Sequence, residues 1–160
     1  MTQADVPQVT KLLNKHMREQ YEFSVQMTED EASHWLLKRP DVVYSYVCCD
    51  SNVVTDMVSY YNLSSHVFDN EIYNSIRCAY AWYSFAKDNR TERIVQLFRD
   101  ALVLAKRDGF DSFNATEVCQ HIQMVETLGF TKSTCTGLHH FVYNWRLPIL
   151  KGDQIGLIML

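Results

Sequence analysis

Two hydrophobic periods divide the chain. Val9, Leu12, Leu13, His16 and Met17 recur at helical spacing behind Asp5, a capping residue, and Pro7, which suits a first turn. Thr28 and Glu31 have the spacing of a capping box, and Ala32, Trp35 and Leu36 follow as an apolar stripe that Pro40 terminates. The period then falls to two. Val42 to Cys49 is rich in β-branched and aromatic residues and predicts a strand. Asp50, Ser51 and Asn52 predict a turn, with Val53 to Tyr61 as the returning strand. Leu63 to Asn74 keeps neither period and reads as a loop. Ile76 to Phe85 predicts the next strand, with Tyr80 and Trp82 on one face and Ala79, Ala81 and Tyr83 on the other.

Helical spacing returns from Glu92 to Arg107, where Ile94, Leu97, Phe98, Ala101, Leu104 and Ala105 keep one face apolar. Arg107 suits its C-terminal end, and Gly109 can stop it in the left-handed region. Ser112 to Thr116 predicts a short strand, and His121 to Leu128 a short helix ending at Gly129. Leu138 to Trp145 predicts a further strand and Ile155 to Leu160 a last one. The order α-α-β-β-β-α-β-α-β-β implies an α/β fold, a mixed sheet with helices on both faces. No repeat, low-complexity segment or linker divides it, so a single domain over 1–160 is expected.

Composition narrows the classes. A chain of 160 residues that is 47% hydrophobic is long enough for one domain with a real core. No apolar run approaches the roughly 18 residues that span a bilayer, and no basic stretch leads into an apolar one as in a secretory signal. Lys and Arg total 15 against 19 Asp and Glu, a net charge of −4. That balance argues against non-specific nucleic-acid binding and is compatible with a basic peptide partner. Cys48, Cys49, Cys78, Cys119 and Cys135 are odd in number, lie mostly in or beside apolar segments and form no C-x-x-C pair, as expected of reduced thiols in the cytoplasm. His139 and His140 would point to opposite faces of a strand, so no metal site is expected. Cys119 and His121 lack the third, orienting group of a catalytic dyad.

The tail carries the most pointed chemistry. Ile155-Gly156-Leu157-Ile158-Met159-Leu160 has no charge except the α-carboxylate of Leu160. An apolar tail is expected to be buried, which would carry that carboxylate to a fixed point. A fixed carboxylate in a partly dry cavity can serve as a general base. The plainer reading is a last strand packed into the sheet with its carboxylate at the rim.

The element order resembles the GNAT-type acyltransferase fold without its first strand. Such enzymes cradle the CoA pyrophosphate in a Gly-rich turn at a helix N-terminus. The corresponding stretch, Ala86-Lys87-Asp88-Asn89-Arg90-Thr91-Glu92, holds no glycine. This domain is therefore expected to bind no cofactor by itself.

Several stretches point further. They are Glu31 to Leu37, Val54-Thr55-Asp56-Met57-Val58-Ser59-Tyr60-Tyr61 and Ala79-Tyr80-Ala81-Trp82-Tyr83, followed by Asp100 to Lys106. Gly109-Phe110-Asp111, Phe113-Asn114-Ala115, Tyr143-Asn144-Trp145 and the final Gly-Leu-Ile-Met-Leu complete the set. In order and spacing they resemble the C-terminal half of the eukaryotic glycylpeptide N-myristoyltransferases (N-tetradecanoyltransferases). That resemblance implies the peptide-binding lobe of an enzyme built from two GNAT-like halves. The other half would hold myristoyl-CoA, the co-substrate, and supply the oxyanion hole.

The substrates implied are proteins with an N-terminal glycine. The catalytic base implied is the carboxylate of Leu160, flanked by Leu157, Ile158 and Met159, with Met159 counted among the substrate contacts. Ser65, Ile76, Tyr80, Asn114 and Leu138 fall at groove-lining positions of the family. The turn from Thr131 to Gly137 lacks the family's acidic residue, which puts the reading of residues further along the peptide in doubt. Without the acyl-CoA half, this chain reads as a fragment, a cleaved product or one piece of a split enzyme. A competing expectation is a non-catalytic peptide-binding module derived from the lobe. An independent acetyltransferase is disfavoured by the absent phosphate-cradling glycines.

Overall fold

The computed structural model describes residues 1–70, 72–119, 121–133 and 139–158 (for Gln123, the backbone alone). Helix α1 (Val6–Gln20) buries Val6, Val9, Leu13 and Met17 along one stripe, with Pro7 in its first turn where a missing N–H costs nothing. After a two-residue strand β1 (Phe23–Ser24) comes α2 (Glu29–Leu36), whose predicted capping box is present. Thr28 Oγ accepts from the Glu31 N–H at 3.2 Å, while the Glu31 carboxylate accepts from the Thr28 N–H at 2.8 Å. Strands β2 (Val43–Asp50) and β3 (Val53–Asn62) form the predicted hairpin, turning on Ser51 and Asn52, both at positive φ. The remaining elements are β4 (Ser65–His66), β5 (Ser75–Ile76), β6 (Cys78–Phe85), α3 (Thr91–Arg107), β7 (Ser112–Asn114), α4 (Ile122–Val125) and β8 (Ile155–Gly156).

The main sheet is ordered β2-β3-β6-β7, antiparallel across its first two pairs and parallel between β6 and β7. A parallel pair needs a crossover, and α3 supplies it. Helices α1 and α2 cover one face, over a core that includes Leu13, Met17, Leu36, Met57 and Trp82. Helix α3 covers the other through Ile94, Leu97, Phe98 and Ala101, against Tyr60, Ala79 and Ala81. The α/β class with a mixed sheet between helical layers therefore holds.

Five expectations need correction. The segment from Leu63 to Asn74 is not all loop, because Ser65 and His66 pair with Ile76 and Ser75 as a small hairpin. The strand expected from Ile76 to Phe85 is broken at Arg77. Its N–H donates to the Asp111 carboxylate at 2.8 Å, so a side chain stands where a ladder acceptor would, and its carbonyl accepts from the Asp111 N–H at 2.9 Å and the Ser112 N–H at 3.4 Å. Tyr83 lies on the same side as Trp82, not with Ala79 and Ala81. Between the pairs Val58–Ser84 and Tyr60–Ala81, Trp82 and Tyr83 together oppose Ser59, a bulge that reverses the alternation. The strand expected from Leu138 to Trp145 is absent among the described residues. Phe141, Tyr143 and Trp145 alternate as a strand should but are exposed, and the edge strand β7 is only three residues long. Among the described residues, the last predicted strand is confined to β8, which pairs in parallel with β1, a partner that sequence periodicity was too short to reveal.

Candidate functional site

Two pairs of predicted site residues meet in the sheet registers. Ser65 lies opposite Ile76 across the β4–β5 hairpin, and both are exposed. Tyr80 lies opposite Asn114 in the β6–β7 ladder, and both are half-buried. Leu138, Met159 and Leu160 lie outside the described residues.

The face of β6 toward α1 and α2 carries an aromatic run. The Tyr80 ring stacks on Tyr61 of β3, with centroids 5.5 Å apart and planes 19° from parallel. Tyr61 meets the edge of Trp82 at 5.8 Å, and Trp82 meets Trp35 of α2 at 6.4 Å. These flat, amphipathic side chains leave Trp35 41% exposed at one end and Tyr80 half-exposed at the other. Such a surface suits an extended peptide: apolar area for its side chains, with hydroxyl and amide groups at the Tyr80–Asn114 end for its backbone. Beside it, Val67, Asn70, Tyr73, Ser75, Ile76 and Asp111 line a depression of about 290 Å³. The Arg77 guanidinium pairs with Asp41 at 2.6 Å, donates to the Asp108 carbonyl at 3.1 Å and lies 4.9 Å from the Phe110 ring centroid.

The tail enters from the same side of the sheet. Phe23 pairs with Ile155 and Ser24 with Gly156, and the Glu22 N–H donates to the Gln154 carbonyl at 3.0 Å. Gly156 is buried because nothing larger fits: a Cβ there would lie 2.5 Å from Tyr21 Cδ2. Ile158 is 6% exposed, in the core that holds Trp82, Tyr83 and Met17. Its N–H donates to the Tyr83 hydroxyl at 3.5 Å. As expected for an apolar tail, Gly156 and Ile158 are inside.

The turn leading into α3 is tied down from within. The Asp56 carboxylate, 4% exposed as a residue, accepts from Arg93 Nη2 at 2.6 Å, Thr55 Oγ1 at 2.8 Å and the Lys87 N–H at 3.2 Å. Burial raises the Asp56 pKa, but those hydrogen bonds outweigh it and hold the carboxyl below its ordinary value. An internal carboxylate thus engages the Lys87 N–H and the Arg93 guanidinium beside that turn.

Cys119 and His121 form no dyad. Both are buried, but His121 Nε2 faces the Trp82 carbonyl at 3.0 Å and Nδ1 the Thr116 carbonyl at 3.2 Å. Burial pushes the Cys119 thiol up to about 12, far from a usable thiolate. Among the described residues no cluster of His, Cys, Asp or Glu could hold a metal. Tyr61, Tyr83 and Trp35 also belong to this aromatic region, beyond the site residues expected from sequence. The strand alternation that placed Tyr80 could have found Tyr61, but nothing local announces the bulge that re-aims Tyr83.

The fold is shared with N-acyltransferases. The chain superposes on Saccharomyces cerevisiae N-myristoyltransferase with bound myristoyl-CoA at TM-score 0.77 and 22% identity, covering 83% of this chain and 34% of that one. It also superposes on a ribosomal-protein-alanine N-acetyltransferase of Brucella melitensis biovar Abortus 2308, at TM-score 0.61 and 15% identity over 88% of this chain and 95% of that one. Residues 1–156 match the family described as myristoyl-CoA:protein N-myristoyltransferase, C-terminal domain, and the chain belongs to that family. Glycylpeptide N-tetradecanoyltransferase 1 of Arabidopsis thaliana is 36% identical over 100% of this chain and 36% of its own length. The enzyme of that name from Plasmodium falciparum (isolate 3D7) is 31% identical over 100% of this chain and 38% of its own length. The chain thus spans little more than a third of the curated relatives it matches.

Proposed function

We propose that this chain is the peptide-binding lobe of an N-myristoyltransferase, which transfers myristate from myristoyl-CoA to the N-terminal glycine of proteins. The observation that carries this reading is the match to the family's C-terminal domain over residues 1–156. The aromatic face from Trp35 to Tyr80 and the inward course of the tail are what such a lobe requires.

In this reading the substrate peptide lies along β6, with Tyr80, Asn114, Ser65, Ile76, Leu138 and Met159 shaping its groove. Its terminal amine has a reference pKa near about 7.7–8.0 and is mostly an ammonium at neutral pH. The α-carboxylate of Leu160 holds that ammonium and takes its proton. The free amine attacks the thioester carbonyl, the new C–N bond forms, the C–S bond breaks and CoA leaves as its thiol, carrying the second amine proton. Myristoyl-CoA supplies the activated acyl group from the partner half, which also supplies oxyanion stabilisation. The partner half takes that role because the turn before α3 in this lobe holds no glycine and its Lys87 N–H is already bonded to Asp56. The cytoplasm is the proposed compartment, in keeping with the free thiols of Cys48, Cys49, Cys78 and Cys119.

The test is acyl transfer to a synthetic glycine-terminated peptide by the enzyme that carries this chain, with and without one residue added after Leu160. We expect the extension to abolish turnover while peptide binding persists, and full activity in the extended form would overturn the role of Leu160. The glycine-free turn before α3 also favours a second reading, a peptide-binding module without chemistry. The intact mass of the native protein separates the two: a chain much larger than 18.7 kDa, or a tight partner of similar size, supports the enzyme.

A further inference from the structure

The bulge in β6 is tied down at both of its carbonyls. Where Trp82 and Tyr83 together oppose Ser59, the regular ladder cannot serve both backbone groups. Ser59 Oγ donates to the Tyr83 carbonyl at 2.7 Å, inside the core. His121 Nε2 meets the Trp82 carbonyl at 3.0 Å, its ring held against the Phe98 edge at 5.2 Å and fully buried. A neutral imidazole has one N–H and faces two carbonyls here, and the Trp82 contact is the shorter. Two side chains from different elements thus hold an irregularity that a plain strand would relax.

The irregularity has one evident product. Without it, strict alternation would put Tyr83 on the α3 face beside Ala79 and Ala81. With it, Tyr83 lies on the α1–α2 face, 3% exposed, and its hydroxyl accepts the N–H of Ile158. At 3.5 Å the bond is long, but the contact is buried and neither group has water as an alternative partner. The residue so fastened is two positions before Leu160.

We infer that Tyr83 is a positioning residue: the bulge held by His121 and Ser59 presents its hydroxyl to the tail and fixes the backbone that leads to Leu160. The inference rests on the reading of Leu160 as the base. Tyr83 touches no reacting atom in this scheme. It acts by limiting how far the carboxylate strays from the amine, where a displacement of about 1 Å can cost on the order of 100-fold in rate.

The test is Tyr83→Phe, which removes one oxygen and leaves the ring in its pocket. Amide hydrogen exchange is measured on the chain, and steady-state kinetics on the enzyme that carries it. The Ile158 amide is expected to exchange about tenfold faster while amides of β3 and β6 keep their protection. The kcat is expected to fall about tenfold with KM for acyl-CoA unchanged. Ser59→Ala, which frees one bulge carbonyl, is expected to give the same pattern more weakly. Unchanged exchange at Ile158 in Tyr83→Phe would overturn the tether. Faster exchange with unchanged kcat would overturn the positioning role. Absence of acyl transfer by the wild-type enzyme would instead overturn the functional reading, an outcome told apart because the exchange comparison needs no turnover.

Discussion

A single methyl group tests the tail dock most directly. In Gly156→Ala the new Cβ would lie 2.5 and 2.6 Å from Tyr21 Cδ2 and Cγ and 2.8 Å from Met17 Cε. Carbon atoms pack at about 3.5–4.0 Å, so Tyr21 or the tail must move by roughly 1 Å. Tyr21 is poorly placed to yield: its N–H donates to the Met17 carbonyl at 3.1 Å, directly off the end of α1. Overpacking of this kind costs about 1–3 kcal/mol. If β8 lifts away instead, Ile158 loses its burial, which is worth about 1.5–3 kcal/mol for such a side chain. Both routes converge on a loss of about 2 kcal/mol. Urea unfolding of the wild type and Gly156→Ala, compared at constant m, reads it directly. Gly152→Ala is the control, because a Cβ there meets nothing within 4 Å and its stability should stay within about 0.5 kcal/mol of wild type. Gly156→Ala as stable as the control would refute the packing of the tail against Tyr21.

Three further outcomes are expected. Burial pulls the His121 pKa down to about 4, partly countered by its two carbonyl partners. An unfolded imidazole titrates near about 6.5, so the unfolded chain binds the extra proton in between. Stability is then complete above about pH 6.5 and falls towards pH 4 by roughly 3 kcal/mol, a slope that His121→Gln should flatten in denaturant midpoints taken across that range. A wild-type profile no steeper than the variant's would contradict it. Asp56→Asn should cost about 2 kcal/mol, less than a fully buried pair, because the Arg93 side chain left behind is 32% exposed. As the folded Asp56 pKa is depressed, its contribution is present above about pH 4 and lost as pH falls through the lower folded value, an acid limb the variant should lack. Tyr80→Ala should raise KM for a glycine-terminated peptide about tenfold without changing KM for acyl-CoA, by loss of its face against Tyr61. An unaltered peptide KM would remove Tyr80 from the groove.

The parts of this fold that sequence made legible are those ruled by local periodicity. Helices α1, α2 and α3 carry their apolar stripes and caps within a few turns, and the β2–β3 hairpin announces itself by Asp50-Ser51-Asn52. What stayed hidden depends on partners distant in the chain. Arg77 breaks a strand because of Asp111, and β1 exists because β8 arrives beside it. Tyr83 changes face because Ser59 and His121 hold a bulge. Of the candidate site, the sheet registers place Tyr80 opposite Asn114 and Ser65 opposite Ile76, neighbours that no local pattern in the sequence announces. The aromatic neighbours Tyr61 and Trp35 needed the assembled sheet.

The union of β1 with β8 also sets an order of events during folding. Glu22 and Gln154, which join beside it, are 132 positions apart in the chain. A contact of that span repays its closure entropy only when the intervening structure already exists, so it belongs to the last steps. Until residues 155–158 arrive, Met17, Tyr21 and Tyr83 lack the tail that packs against them, leaving apolar surface uncovered in a nearly finished protein. The closing segment then acts as a stopper, and in the proposed enzyme the same motion brings in the proton acceptor. A lobe caught short of completion would therefore be both sticky and inert, and catalytic competence would itself report that folding had ended.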